Sequence, residues 1–335
     1  MELDSILNIK KKYSPIGIDL GSSTVKLLQL QQKGRRKAVS GYAALSTPPG
    51  TLLNGHIQNP RELVSVLKEA QKSCPWHGNK AALSIDSRCC RLKIVSMPYL
   101  NSKELPKAMQ YEAEKEFSLN SSQYVTGYSL IGKRSGSNPP VYDYLLASLE
   151  KERSDQIIDI ALQAGLKPTS LEPDLTADLR VIDYFNSLTR HDQQAPGVLL
   201  DLGFSRTRII ILSSNSYQFH RSINIGTGKL IDSNHKKASR EAADTLLQEI
   251  LQALDFYMDR SGQTDNPNIS ILAFGGGLYL PGLAGYLQKK TGFKINLLNI
   301  LSSAHLPGVT SAAEAKNKGL LYPTAFGLAL RGCTS

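Results

Sequence analysis

Asp19-Leu20-Gly21-Ser22-Ser23-Thr24-Val25-Lys26 recurs in altered form as Asp201-Leu202-Gly203-Phe204-Ser205-Arg206-Thr207-Arg208, one copy in each half of the chain. Those residue types at that spacing suit the gripping of phosphate. Glycine lets the backbone approach a ligand closely, and serine hydroxyls and neighbouring N–H groups can ring phosphate oxygens. Asp19 and Asp201 would repel phosphate, but each can hold Mg²⁺ through water, because Mg²⁺ prefers carboxylate, water and phosphate oxygens. One Asp-x-Gly turn alone is ordinary hairpin chemistry. Two matched copies point to two related lobes facing each other across a cleft, with a phosphate tail held from both sides.

The flanking residues say which elements position these turns. Ile16-Gly17-Ile18 and Val198-Leu199-Leu200 lead in, and Val25 to Leu28 and Arg208 to Ile211 lead out. Each copy therefore reads as strand, tight turn, strand. A third glycine cluster, Gly275-Gly276-Gly277, follows the apolar run Ile271 to Phe274 and precedes Leu280-Pro281-Gly282-Leu283. It predicts a strand, a glycine turn and a proline-started helix whose N-terminus attracts anions.

Between the motifs, Pro48-Pro49-Gly50 breaks the first sheet, and Asn59, Pro60 and Glu62 carry a capping signature for a helix with Leu63, Val66, Leu67 and Ala70 on one face. Ala81 to Asp86 and Arg91 to Val95 read as strands, Tyr111 to Phe117 as an acidic helix and Val141 to Ser148 as a strand after the exposed Lys133 to Pro140 connection. The helix predicted over Ser154 to Ala164 stops on Gly165. Asn186 to Pro196 reads as a polar linker between lobes, and Ser239 to Arg260 as a long helix with Leu247, Ile250, Leu251, Leu254 and Met258 on its core face.

Composition narrows the class. With 335 residues, 41% hydrophobic and 20% charged, the chain is globular and long enough for two domains. Its apolar runs fall far short of the roughly 20 residues that span a bilayer, and its polar start is not a signal peptide. A cytoplasmic location is expected. Cys74, Cys89, Cys90 and Cys333 have no C-x-x-C spacing, and the six histidines form no ligand cluster, so neither supports a structural metal. Cys89 and Cys90, read as strand residues, would point to opposite faces as small hydrophobes. A net charge of +10 favours anionic surroundings. The basic runs at Lys10-Lys11-Lys12, Lys33 to Lys37 and His235-Lys236-Lys237 sit beside strand ends or loops and lack interleaved aromatics, so they read first as solvated loops, then as a membrane-surface contact and last as a nucleic-acid contact, and nucleic acid is not expected as a partner.

The order Asp19-x-Gly21, Asp201-x-Gly203, Gly275-Gly276-Gly277 resembles the actin-like ATPase superfamily that includes actin, sugar kinases and the cell-division protein FtsA. Closer similarity, over nearly the whole chain, is to the PilM family of type IV pilus assembly proteins. It rests on Ile16 to Leu28, Tyr111-Glu112-Ala113-Glu114-Lys115, Ala164-Gly165-Leu166-Lys167-Pro168 and Gly275-Gly276-Gly277-x-x-x-Pro281-Gly282-Leu283-Ala284. The resemblance implies an α/β, actin-like (ribonuclease H-like, duplicated) two-lobed fold with a small α+β insert in the first lobe. It implies a first-lobe main subdomain over 1–85, an inserted peptide-docking subdomain over 86–150, a return and linker over 151–195, a second lobe over 196–322 and a helix over 323–335 packing back on the first lobe. ATP with Mg²⁺ would lie in the cleft. Asp19, Gly21, Ser22, Ser23 and Lys26 would contact it from the first turn, Asp201, Gly203 and Ser205 from the second, and Gly275, Gly276 and Gly277 from the nucleoside side. Asp19 and Asp201 are the expected Mg²⁺ holders, and Asp174 and Asp201 the candidate catalytic carboxylates.

By the same resemblance, a groove beside the insert would receive the N-terminal peptide of an inner-membrane PilN-type protein, with further contacts to other pilus platform proteins and the inner-membrane face. One departure is expected to slow or abolish turnover. Only Lys229 to Ala238 separates Gly226-Thr227-Gly228 from the long helix, so the fourth subdomain is reduced, with Lys229, Lys236 and Glu241 as substitutes. Two alternatives stay open: a small-molecule kinase of the same superfamily, with a carboxylate activating an acceptor hydroxyl, and an FtsA-like membrane-tethering filament protein, although the FtsA-type C-terminal amphipathic anchor is missing after Leu330.

Overall fold

The computed structural model describes residues 12–33, 36–118, 122–134, 138–188, 197–213, 216–231, 239–261, 270–301 and 318–333. The first lobe opens with β1 (Lys12–Tyr13), β2 (Ile16–Leu20), β3 (Thr24–Lys33) and β4 (Arg36–Ser46). The small hairpin β5 (Leu52–Leu53) and β6 (His56–Ile57) then leads to α1 (Pro60–Lys72) and β7 (Lys80–Ile85). The insert supplies β8 (Arg91–Pro98), α2 (Leu105–Phe117), β9 (Tyr124–Arg134) and β10 (Val141–Glu150). The chain returns through α3 (Lys151–Gln163), β11 (Lys167–Pro173) and α4 (Asp174–Leu188). The second lobe contains β12 (Val198–Leu202), β13 (Thr207–Ser213), β14 (Ser216–Ile223), α5 (Thr227–Leu230), α6 (Arg240–Ser261), β15 (Ser270–Phe274), α7 (Leu283–Thr291) and β16 (Lys294–Leu297). The last helix, α8 (Pro323–Leu330), returns to the first lobe.

The two main sheets repeat one another. Strands run β4, β3, β2, β7, β11 across the first and β14, β13, β12, β15, β16 across the second. In each, the first three strands are antiparallel, while helical crossovers bring in the last two parallel. The chain therefore has the duplicated two-lobed fold, with the insert's sheet, in the order β8, β10, β9, standing apart.

Separate apolar cores hold the outer side of each lobe, and a third joins them. Ile18, Leu27, Leu63 and Leu67 belong to the first, and Leu200, Ile209, Leu246 and Ile250 to the second. The joining core combines Leu28 and Leu30 with Leu199, Ile210 and Phe274, and fills the gap with Leu175 and Val181 of α4 and Phe326 of α8. Every residue of α8 is buried, which suits its sequence, since a helix apolar all round has no face to give to water. Its backbone lies so close to β2 that a Cβ on Gly17 would sit 2.0 Å from the Ala325 carbonyl oxygen.

Helix α1 starts as its sequence predicts. Asn59 accepts a hydrogen bond from the Glu62 amide at 3.4 Å, Pro60 is the first helical residue, and Leu63 and Leu67 are fully buried. Asn59→Ala is expected to cost about 1 kcal/mol in urea unfolding. An unchanged midpoint would mean that the fixed φ of Pro60 sets the helix start by itself.

Several boundaries differ from expectation. α2 begins at Leu105 rather than Tyr111, because Met109 in its first half packs with Val95, Tyr144 and Leu146. α3 begins at Lys151, since Ser154 is buried on the helix face and Glu152 favours a helix start. α4 runs into the expected linker as far as Leu188, because Tyr184 and Phe185 pack on Phe326. The rest of that linker lies outside the described residues, as do Lys10, Lys11, Gly34, Arg35 and 232–238 with Lys236. Cys89 ends a 3₁₀ turn rather than lying on a strand, and Cys74, Cys89 and Cys90 are half-buried and unpaired. Among the described residues, no helix is long and apolar enough to cross a membrane.

Candidate functional site

The two matched turns face each other across a cavity of about 330 Å³ between the lobes. Asp19, Gly21, Ser22, Ser23 and Lys26 line it from the first lobe, and Asp201, Gly203, Ser205, Gly275 and Gly276 from the second. Asp174, the first residue of α4, lines it too. Gly277 packs beneath the cavity wall, where an added Cβ would lie 2.7 Å from Leu202 Cβ. At the rim, Phe204 and Tyr279 are 48% and 37% exposed and provide an apolar mouth.

The glycine triplet does not lead straight into a helix. Gly276 to Tyr279 form a 3₁₀ turn, and Gly282, with φ +81°, sits as the cap before α7 starts at Leu283. Pro281 thus precedes the helix, whose N-terminus is not part of the cleft lining. Gly275 has φ +103°, and a Cβ there would meet the Leu202 carbonyl oxygen at 2.3 Å. Glycine is needed here by the neighbouring strand β12.

The duplication extends to a carboxylate and its cation. Asp19 lies opposite Lys26 in the register of β2 and β3, and Asp201 opposite Arg208 in that of β12 and β13. Lys26 Nζ donates to Asp19 Oδ2 at 2.9 Å, and an Arg208 guanidinium nitrogen donates to Asp201 Oδ2 at 3.3 Å. Such cross-strand opposite-charge pairs are among the units that stabilise antiparallel sheets. The turns themselves touch, with Ser22 Oγ donating to Ser205 Oγ at 3.1 Å.

Alternation along the strand puts Arg206 and Arg208 on one face and Thr207 on the other, where its hydroxyl donates to the Ile225 carbonyl at 2.7 Å. The two guanidinium groups point into the first lobe. Arg208, wholly buried, donates to Asp174, Asp178 and Asp201. Arg206 donates to Asp174 and lies 3.4 Å from Asp86. Arg88 pairs with Asp86 at 2.8 Å and donates to Asn224 of the second lobe at 3.0 Å. Thr324 of α8 donates to the second oxygen of Asp178 at 2.8 Å. Burial alone would raise the Asp86 carboxyl, but Arg206 and Arg88 hold it down at about 2. Burial pushes Asp201 up, against the pull of Arg208 and Arg206.

The same arginines act on His220 of β14. Burial, then Arg208, lowers its imidazole to about 4, and the Tyr217 hydroxyl lies 2.7 Å from its Nδ1. The unfolded chain, with an ordinary histidine near 6.5, binds the proton first. The stability from keeping His220 neutral is therefore complete above about pH 6.5 and is lost as pH falls toward the folded value. Between pH 6.5 and pH 5 that loss is on the order of 2 kcal/mol. Urea unfolding of His220→Gln should show a correspondingly smaller loss over that interval, and equal losses in both proteins would contradict the assignment.

Mg²⁺, implied by the resemblance, does not fit this site. Both carboxylates expected to hold it are already neutralised, Asp19 by Lys26 and Asp201 by Arg208, and Asp174 is shared by two arginines. Mg²⁺ is usually held by one or two carboxylates with waters and phosphate oxygens, and here the carboxylates that would face it already accept from Lys26, Arg206 and Arg208. Sequence reasoning missed Arg206, Arg208, Asp178, Asp86 and Arg88. A signal for Arg208 was present, since a strand arginine beside Ile209, Ile210 and Ile211 must be buried with a partner.

The insert presents a second surface. One face of its sheet is covered by α2 through Met109 and Ala113, and the other contributes Leu145, Leu92, Ile94 and Ile131 to the core between the lobes. Strand β9 is at the sheet's edge. Tyr128 and Leu130, opposite Leu146 and Tyr144 in register, lie on the face that α2 covers, yet they are 37% and 58% exposed. Gly127, next to them, leaves open space where a Cβ would be.

A family model described as type IV pilus assembly protein PilM matches residues 17–242 and 240–333. The chain is similar to a solved structure titled PilM-PilN type IV pilus biogenesis complex, with 20% identity, a TM-score of 0.79 and coverage of 96% of this chain and 99% of that one. It is also similar to the ethanolamine utilization protein EutJ from Carboxydothermus hydrogenoformans, with 12% identity, a TM-score of 0.51 and coverage of 98% and 93%. The fold is thus the actin-like ATPase fold, as the paired sheets and facing turns indicated. With the family model matching nearly its whole length, the chain belongs to the PilM family of type IV pilus assembly proteins.

Proposed function

We propose that this chain is an actin-like scaffold of type IV pilus assembly that docks a short extended N-terminal peptide of an inner-membrane PilN-type protein on its insert. The observation that carries the reading is the exposed apolar strip Tyr128 and Leu130 on the edge strand β9. An edge strand offers backbone hydrogen-bonding groups to an incoming strand, and apolar neighbours give that strand its side-chain specificity. The similarity to a chain solved in a PilM-PilN complex supports the same partner class. Association with the inner membrane and with other platform proteins would then come through the partner.

The cleft supports slow or no turnover. Asp174 and Asp201, the candidate catalytic carboxylates, are both held by guanidinium groups, which leaves neither placed to take a proton from a nucleophile. A nucleotide entering the cleft would meet Ser22, Ser23, Lys26, Gly203, Ser205 and Gly276. ATP is the expected nucleotide from the resemblance.

Hydrogen exchange with and without the partner peptide tests the docking site. Slower exchange in β9 and the neighbouring part of α2 is expected. Protection confined to other elements would contradict the proposal.

A further inference from the structure

The contacts deep in the cleft run from lobe to lobe. Arg208 lies on the second-lobe strand β13 and Arg206 immediately precedes it, whereas Asp86 follows the first-lobe strand β7 and Asp174 follows β11. Their pairings, with Arg208 to Asp178 and Ser22 to Ser205, cross the gap at several depths. Beneath them, the apolar core of Leu28, Leu30, Leu199, Ile210 and Phe274 is continuous across both lobes. An interface that is apolar at its base and saturated with ion pairs above it favours one relative position of two bodies.

Three carboxylates, Asp174, Asp178 and Asp201, converge on one point. Burial raises Asp178, to about 8, and raises Asp201 as well, so without a cation there the three groups would repel one another or have to take up protons. Arg208 fills that point with its guanidinium and reaches all three. Its position is fixed by the register that sets it opposite Asp201. Arg206, two residues earlier, adds a second link to Asp174 and one to Asp86. The insert is tied into the same arrangement, because Leu145, Leu92, Ile94 and Ile131 pack in the shared core and Ser216 of β14 lies against Gly132 of β9.

We infer that Arg208, assisted by Arg206, is a cation built into the chain that bridges the lobes, so that the cleft closes and the insert is held in place with neither a divalent ion nor a nucleotide. The docking role of the insert rests on the reading above; the closure does not.

Small-angle X-ray scattering of the full chain tests the inference in EDTA, in Mg²⁺ alone and in ATP with Mg²⁺. A closed chain of this length has a radius of gyration of about 20 Å, and the unaltered protein should give one value in all three conditions. Arg208→Met should increase the radius and speed hydrogen exchange in β13 and at the Gly21 turn. If Arg208→Met does not fold, Arg206→Met, at the edge of the cluster, should show the same changes in smaller degree. An unaltered chain that is open in EDTA and closes on ATP with Mg²⁺ would overturn the inference, as would folded arginine variants that scatter and exchange like the unaltered chain. Peptide affinity is measured separately on the unaltered protein: its absence would remove the docking reading and leave the scattering result to decide closure.

Discussion

Arg208→Met is expected to lower the unfolding free energy by about 3–5 kcal/mol, the usual cost of removing one partner from a buried ion-pair network. Methionine nearly fills the volume, so the loss comes from charge. Asp174 and Asp178 are buried, and Asp201 is largely enclosed; each would lose a guanidinium donor. Arg206 would retain its link to Asp174. Replacing Asp178 as well, in Arg208→Met with Asp178→Leu, removes the wholly buried carboxylate and should recover part of the loss. Urea unfolding of the single and double variants measures both effects. Equal stability of Arg208→Met and the unaltered chain would show that the cluster contributes nothing net, while a double variant no better than the single one would place the cost on Asp174 and Asp201.

The second large effect belongs to the insert. Leu130→Asp puts a carboxylate in the middle of the exposed apolar strip and should weaken peptide binding at least about 100-fold, which corresponds to about 2.7 kcal/mol. Tyr128→Ala should cost about 2 kcal/mol, because a half-exposed tyrosine that becomes covered on binding is the kind of residue that anchors an interface. Leu130 is exposed in the unbound chain, so Leu130→Asp should change its unfolding free energy by no more than about 0.5 kcal/mol, whereas Tyr128 also packs edge-on against Tyr144 and its loss is expected to cost some stability as well. Fluorescence anisotropy with a labelled peptide reads the affinity. Unchanged affinity in Leu130→Asp would move the docking surface away from β9.

Much of this architecture was legible in residue order. The two Asp-x-Gly-x-Ser turns predicted paired strands, and the structure places them opposite each other at the same point of two matching sheets. Asn59 and Pro60 marked a helix start from local chemistry alone. The misplaced boundaries were set by contacts distant in sequence. α4 reaches Leu188 because Tyr184 and Phe185 find Phe326 on α8, and nothing near Asn186 announces that partner. α7 starts late because Gly282 adopts a positive φ, which the Pro281-Gly282 pair permitted without requiring.

The chemistry of the cleft was half legible for the same reason. Asp19 and Asp201 were identified by their own motif, but what neutralises them depends on sheet register. Lys26 and Arg208 occupy equivalent places in the two copies, so the repeat held the answer once the strands were paired. The contacts of Arg208 to Asp174 and Asp178 depend on how α4 packs between the lobes, which no local pattern encodes. Reading the aspartates as metal holders followed from their type; the structure pairs each with a side-chain cation.

The most direct measurement is calorimetric titration of the unaltered chain with the N-terminal peptide of a PilN-type protein, in EDTA and without nucleotide. Saturable one-to-one binding is expected under those conditions. No heat and no binding up to millimolar peptide, with binding restored only by ATP and Mg²⁺, would contradict it.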